Sequence, residues 1–204
     1  NAKEISIKGV NELNGIDVSV PGDPSSALFP IIAALICKNS DIIVKNVLIN
    51  STRDGAFRVL KNMGADISFL NHRIMAAEDV YDIRVRSSKL RGVDVPRKFS
   101  PTMIDDYPIL AVAASMAKGK THFKGINELR FKESDRFTGI INLLEKNGVR
   151  VESKKDTIII HGRCELKKGG IEIKTNLDHR MAMSALIMGL VSKKEIKIDN
   201  SETI

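Results

Sequence analysis

Three stretches of this chain share one pattern, an Asp directly before an apolar run of about a dozen residues. They read VPGDPSSALFPIIAALI, TMIDDYPILAVAASMA and TNLDHRMAMSALIMGL, with the acids at Asp23, Asp105 and Asp178. An Asp there reads as an N-cap, whose carboxylate takes up N–H groups left free at a helix start. Pro24 fits the first helical position, and Pro30, deeper in the same run, is expected to bend it. Each run leads into a short strand, DIIVKNV, KTHFKGI or EIKIDN, and then a polar loop. In the first two cases a second helix follows (AFRVLKNMG, FTGIINLLEKNG), ended by Gly64 and Gly148 as C′ residues. Paired strands come next, ADISFL with HRIMAA, turning at Asn71-His72, and VRVESKK with TIIIHG. The unit is βαβαββ, recurring at 82 and 73 residues between the Asp caps, and the third copy stops at Ile204 where its second helix should begin. Such a repeat implies an α/β (α+β) domain, with the near-uniformly apolar first helices buried at its centre.

The boundaries follow from the repeat. Residues 1–2, Asn1-Ala2, read as the remnant of a cleaved tag. Residues 3–17 read as a segment leading in from another domain, and 18–204 as the repeat domain with its third unit truncated. The longest apolar run, Ala27 to Cys37, is about half of the roughly 20 residues a membrane span requires. Cys37 and Cys164 have no paired spacing, so neither a disulfide framework nor a zinc site is expected, and Cys37 reads as a core residue. A cytoplasmic protein without metal or organic cofactor is the expectation. The net charge of +7 favours an anionic partner, but only 4% of residues are aromatic and none alternate with Lys or Arg. That argues against a base-stacking nucleic-acid surface. The polar loop from Ser87 to Pro101, just ahead of Met103-Ile104-Asp105, has a length at which loops often carry function.

The chemistry-bearing residues lie near the helix starts. Asp105 and Asp106 open the second apolar run; taken alone they are caps that suit the helix dipole. Arg180, two residues into the third run, puts a cation at the positive end of a helix. Either a bound anion or a neighbouring acid must compensate it. His179 alone carries little weight. The stretch ELRFKESDR, Glu128 to Arg136, packs six charges into nine residues. Lys132 and Arg136 share a face if the helix has begun, with Glu133 able to pair with either. Alone, this is a surface ladder of salt bridges. Equivalent positions of repeated units converge on one end of a domain, however, and that would gather Asp105, the 128–136 cluster and the 178–180 cluster. Acids, arginines and a lysine around one cleft suit an anionic substrate that also needs proton transfer.

ELRFKESDR and DHRMAM, with VPGDPSSA, LKNMGADI and MIDDYPILAVAASMAKG, resemble the 5-enolpyruvylshikimate-3-phosphate (EPSP) synthases from about Val18 to the end of the chain. The resemblance implies one of two similar domains, each of three βαβαββ units, hinged about an active site. It implies transfer of the enolpyruvyl group of phosphoenolpyruvate to the 5-hydroxyl of shikimate 3-phosphate, releasing phosphate on the path to chorismate and the aromatic amino acids. The chemistry is addition through a tetrahedral ketal, then elimination, without cofactor. Asp105 takes the role of general base at the shikimate hydroxyl, and Glu133 that of proton donor or acceptor at the enol methylene. Lys132 contacts the target hydroxyl, and Arg136 and Arg180 bind phosphoenolpyruvate, with Asp178 and His179 in support. Glu128 matches a shikimate contact that is Asn in some members. Asp106 stands where many have Glu, and Pro24 where an apolar residue is usual. The missing half would carry the remaining phosphate ligands, so the isolated piece should not turn over. The alternatives are another enolpyruvyl transferase, of the UDP-N-acetylglucosamine type, or a polyanion or nucleic-acid binder on the same repeat.

Overall fold

A computed structural model describes residues 4–9, 12, 14–166, 168–202 and 204. Asn1 and Ala2, the expected tag remnant, lie outside the described residues. In chain order the elements of the first repeat are α1 (Pro24–Ile36), β1 (Asp41–Leu48), α2 (Gly55–Asn62), β2 (Asp66–Met75) and β3 (Glu78–Arg86). The second contains β4 (Asp94–Val95), α3 (Tyr107–Ser115), β5 (Lys118–Lys124), α4 (Arg136–Lys146), β6 (Arg150–Lys154) and β7 (Thr157–Arg163). The third contains β8 (Ile171–Ile173), α5 (His179–Gly189) and β9 (Ile196–Ile198).

The repeat is explicit in the strand pairing. Gly22 bridges Val47 of β1 in parallel, β4 pairs β5 in parallel, and β8 pairs β9 in parallel, each pair flanking an apolar helix. The two complete units then add an antiparallel hairpin, giving the orders β1-β3-β2 and β4-β5-β7-β6. The result is three small sheets around α1, α3 and α5, which pack directly on one another. Those helices need a core because their backbone polar groups are satisfied internally and their side chains are apolar on most faces. All nine residues of α3 and ten of the thirteen of α1 are buried. α5 departs from the expectation of full burial: Leu186 is exposed, as is Leu190 just past its end. Cys37 lies at the edge of the core rather than within it, and Pro30 sits inside α1 without ending it. Residues 14–17, within the expected lead-in segment, are exposed and form no regular element.

Asp23 caps α1 by accepting from the Ser26 N–H, and Asp178 caps α5 by accepting from Arg180 and Met181. Gly64 and Gly148 follow the ends of α2 and α4 with φ of 87° and 79°, the left-handed conformation that stops a helix most easily at glycine. The first hairpin corrects the sequence expectation. Asn71-His72 is not its turn; β2 runs on to Met75, the chain reverses at Ala76-Ala77, and the partner is β3. Asn71 does adopt φ of 50°, but as part of an irregularity between Leu70 and Arg73, where its side-chain amide donates to Asp82 Oδ2 at 3.0 Å. The supposed loop from Ser87 to Pro101 is structured as well. Arg91 bridges Lys118, Asp94–Val95 pairs with β5, and a 3₁₀ turn begins at Arg97.

Ala76 and Ala77 both hold positive φ, 51° and 62°, in an exposed two-residue turn that Asn-Gly would fill without strain. Replacing Ala77 with Gly should therefore raise stability by about 0.5–1 kcal/mol. Urea unfolding reads this out as a higher midpoint at unchanged slope.

Candidate active site

The N-terminal ends of α3, α4 and α5 are tied together by charged side chains, and Arg136 is the hub. It opens α4, and its side chain is 0% exposed. Its Nε donates to Asp178 Oδ2 at 2.8 Å and its Nη2 to Asp178 Oδ1 at 3.2 Å. Its Nη1 donates to Asp105 Oδ1 at 2.9 Å, and Nη2 lies 2.6 Å from Glu133 Oε2. A buried guanidinium demands this degree of pairing, because an isolated charge in the interior costs several kcal/mol.

Asp178 is equally buried and serves two ends of the fold. It caps α5 and also accepts from the Ser134 hydroxyl at 2.9 Å. Burial pushes its carboxyl upward, but the bond and charge of Arg136, with Ser134 and the Met181 N–H, outweigh that and hold it below the ordinary carboxylate range. Lys132 Nζ reaches Asp105 Oδ1 at 3.4 Å and Glu128 Oε1 at 3.1 Å. Asp105 and Glu133 remain open to solvent, with side chains 41% and 55% exposed. Arg180 Nη1 lies 3.7 Å from Oδ1 of the buried Asp106. Of the two ways to compensate a cation at that helix start, a neighbouring acid is therefore present.

Several local expectations are revised. Asp105 is not a cap: Ile104–Asp106 form a 3₁₀ turn ahead of α3, and Asp106 stands at the cap position without a side-chain cap bond. The Asp105 carboxylate is thereby free to meet Arg136 and Lys132. Lys132 and Arg136 do not share a helical face. Asn127–Phe131 form a 3₁₀ turn, Lys132 is extended, and α4 starts only at Arg136. Asp135 caps α4 through the Thr138 N–H, and the Ser134 hydroxyl turns to Asp178. Glu128 joins through Lys132, and His179 is half-buried at the first position of α5, outside the ion-pair cluster among the described residues. Residue types alone gave no signal for Ser134. The unbalanced Arg180 called for a bound anion or an acid without saying which, and the acid that meets it is Asp106.

Locally the balance opposes the basic chain: Lys132, Arg136 and Arg180 face Asp105, Asp106, Glu128, Glu133 and Asp178. Carboxylates outnumber cations. A cavity of about 270 Å³ borders this region, lined by Ser134, Thr138, Asn142, Thr175 and Met181, but not by Asp105, Glu133 or Arg180. Among the described residues no group of three or more His, Cys, Asp or Glu is placed to hold a metal, and no helix is long and apolar enough to cross a membrane.

The fold is that of the enolpyruvyl transferases. The enolpyruvyl transferase NikO of Streptomyces tendae superposes with a TM-score of 0.64 over 86% of this chain and 38% of its own, at 17% identity, a likeness of fold alone. An EPSP synthase from Acinetobacter baumannii superposes with a TM-score of 0.88 at 38% identity, over 95% of this chain and 45% of its own. The sequence model of the family described as EPSP synthase (3-phosphoshikimate 1-carboxyvinyltransferase) matches residues 1–204, and the chain belongs to that family. The 3-phosphoshikimate 1-carboxyvinyltransferase of Chelativorans sp. (strain BNC1) is 51% identical over 204 residues, covering 100% of this chain and 45% of that protein. That of Bartonella quintana (strain Toulouse) is 51% identical over 201 residues, covering 98% and 46%. The chain thus spans somewhat under half the length of the curated relatives it matches.

Proposed function

We propose that this chain forms one wall of the active site of an enzyme that transfers the enolpyruvyl group of phosphoenolpyruvate to the 5-hydroxyl of shikimate 3-phosphate. The observation that carries the reading is the joining of Asp105, Lys132, Glu133 and Asp178 around the buried Arg136. Two partly exposed acids are held on one rigid cation, as a reaction with two proton transfers at neighbouring atoms requires. In the addition step the shikimate oxygen attacks C2 of phosphoenolpyruvate. Asp105 takes the hydroxyl proton, with Lys132 beside it, while Glu133 delivers a proton to C3. In the elimination step C3 returns its proton and phosphate leaves C2, restoring the enol ether.

The anion ligands divide in their availability. The Arg136 donors are largely taken by Asp178, Asp105 and Glu133, so an anion reaches them only by displacing Glu133, the more exposed of the acids. The Arg180 side chain makes no hydrogen bond among the described residues and is the open anion seat on this wall. Glu128 sets Lys132, and His179 flanks Arg180. Because carboxylates outnumber cations here, two anionic substrates need further cations from the rest of the protein. The isolated chain accordingly has no turnover, and the working enzyme acts in the cytoplasm.

Replacing Arg180 with Ala in the full-length protein should raise KM for phosphoenolpyruvate by about tenfold to a hundredfold, with KM for shikimate 3-phosphate changed by less than about threefold. Equal effects on both substrates, or none on either, would remove Arg180 from the phosphoenolpyruvate site.

A further inference from the structure

Arg180 stands at the second position of α5, where free N–H groups disfavour a cation. Its side chain is nonetheless mostly buried, so something must hold it. The acid that faces it, Asp106, lies on the turn before α3 and has a side chain only 4% exposed. Its Oδ1, the atom 3.7 Å from Arg180 Nη1, has no hydrogen-bond partner among the described residues. An acceptor left this way in the interior is costly unless a charge nearby balances it.

The other groups around Asp106 come from three directions. Ser25 belongs to the first turn of α1, Arg53 precedes α2, and Asp105 is the adjacent residue. Arg53 is already engaged, with Asp23 at 2.7 Å and the Ser25 hydroxyl at 3.1 Å. That leaves Arg180 as the cation whose placement depends on Asp106.

We propose that Asp106 is a positioning residue: it anchors one end of the Arg180 guanidinium across the α3–α5 interface and so leaves the remaining donors for a carboxylate or phosphate of the substrate. This rests on the reading of Arg180 as an anion ligand and adds the residue that sets its direction. It also gives the site a pH response. Burial pushes the Asp106 carboxyl up to about 6, with Ser25, Arg180 and Arg53 pulling the other way and Asp105 adding to the rise. As pH falls through that value the carboxylate is neutralised and its hold on Arg180 loosens. Anion binding should weaken toward acid on that account.

The test uses the full-length protein with Asp106→Asn, which keeps the shape and removes the charge, and Asp106→Glu, which keeps the charge. Asp106→Asn should raise KM for phosphoenolpyruvate by about fivefold to twentyfold while kcat stays within about threefold. The unaltered protein should show KM rising between about pH 7 and 5.5, and Asp106→Asn should abolish that rise. Asp106→Glu should recover most of the loss. An unchanged KM and pH profile in Asp106→Asn overturns the proposal, and so does an Asp106→Glu variant as impaired as Asp106→Asn. A second readout does not depend on turnover. In protein labelled with ¹³C at the Asp carboxyls, the Asp106 midpoint should move upward in Arg180→Ala, and an unmoved midpoint refutes the pairing. If the unaltered protein does not act on phosphoenolpyruvate, the proposed reaction fails while this titration still decides the pairing.

Discussion

Replacing Asp178 with Ala should destabilise the domain by about 3–5 kcal/mol, a large share of the stability of an ordinary domain. The change strips two hydrogen bonds from a guanidinium that has no access to water, leaves the Ser134 hydroxyl without its acceptor, and uncaps α5. The cap alone is worth about 1 kcal/mol. Asp178 joins two repeats, since Arg136 lies 42 residues before it, so the loss falls on the docking of α4 against α5. Removing Arg136 as well should cost less than the sum of the single changes, because the second removal takes away a charge already stranded. Urea unfolding of the four proteins of the cycle measures the coupling. The sign with pH also follows. The Asp178 carboxyl is depressed in the folded state, so its contribution is present above the unfolded value near 3.9 and is lost as pH falls through the folded one. The gap between the unaltered protein and Asp178→Ala should therefore narrow as pH drops below about 4.

The second large effect is on rate. Asp105→Asn and Glu133→Gln, each in the full-length protein, should lower kcat by about a hundredfold to ten-thousandfold with modest change in KM. Either substitution leaves Arg136 with Asp178 and one other acid, so the fold should persist, and unfolding midpoints near the unaltered value check that. The two variants should differ in one respect. When Glu133 carries the proton to C3, Glu133→Gln stops the exchange of solvent deuterium into the methylene of phosphoenolpyruvate. Asp105→Asn instead slows attack by the hydroxyl. Near-normal rates in both would remove proton transfer from this wall.

Much of the frame was legible because it rests on local chemistry. Asp23 and Asp178 cap helices since a short carboxylate before an apolar run has little else to do, and Gly64 and Gly148 stop helices since only glycine takes that φ cheaply. The second hairpin followed from the run of β-branched residues in β7 and its pairing with β6. The first did not. Asn71 takes the left-handed conformation a turn would need, yet β3 pairs on both sides of it, and the real reversal falls on two alanines with no turn chemistry. Taken alone Asp105 looked like a third cap, but an extra 3₁₀ turn before α3 leaves its carboxylate to meet Arg136 and Lys132.

The charged stretch from Glu128 to Arg136 shows the limit most clearly. As sequence it has the composition of an exposed helix start. In the structure Arg136, one of its strongest charges, is fully buried, because the partners that make burial tolerable lie 31 and 42 residues away. No local pattern encodes such pairs. The repeat indicated that these segments would meet, but which acid met which cation was decided by packing.

In the proposed function, Asp105, Lys132, Glu133, Arg136 and Arg180 form one wall of a site that joins phosphoenolpyruvate to shikimate 3-phosphate. Phosphate release by the full-length protein, measured with both compounds present and with each withheld, decides it. Release is expected only when both are present, with none when a UDP-sugar replaces shikimate 3-phosphate. Release with the UDP-sugar as acceptor, or none with the pair, would overturn that assignment.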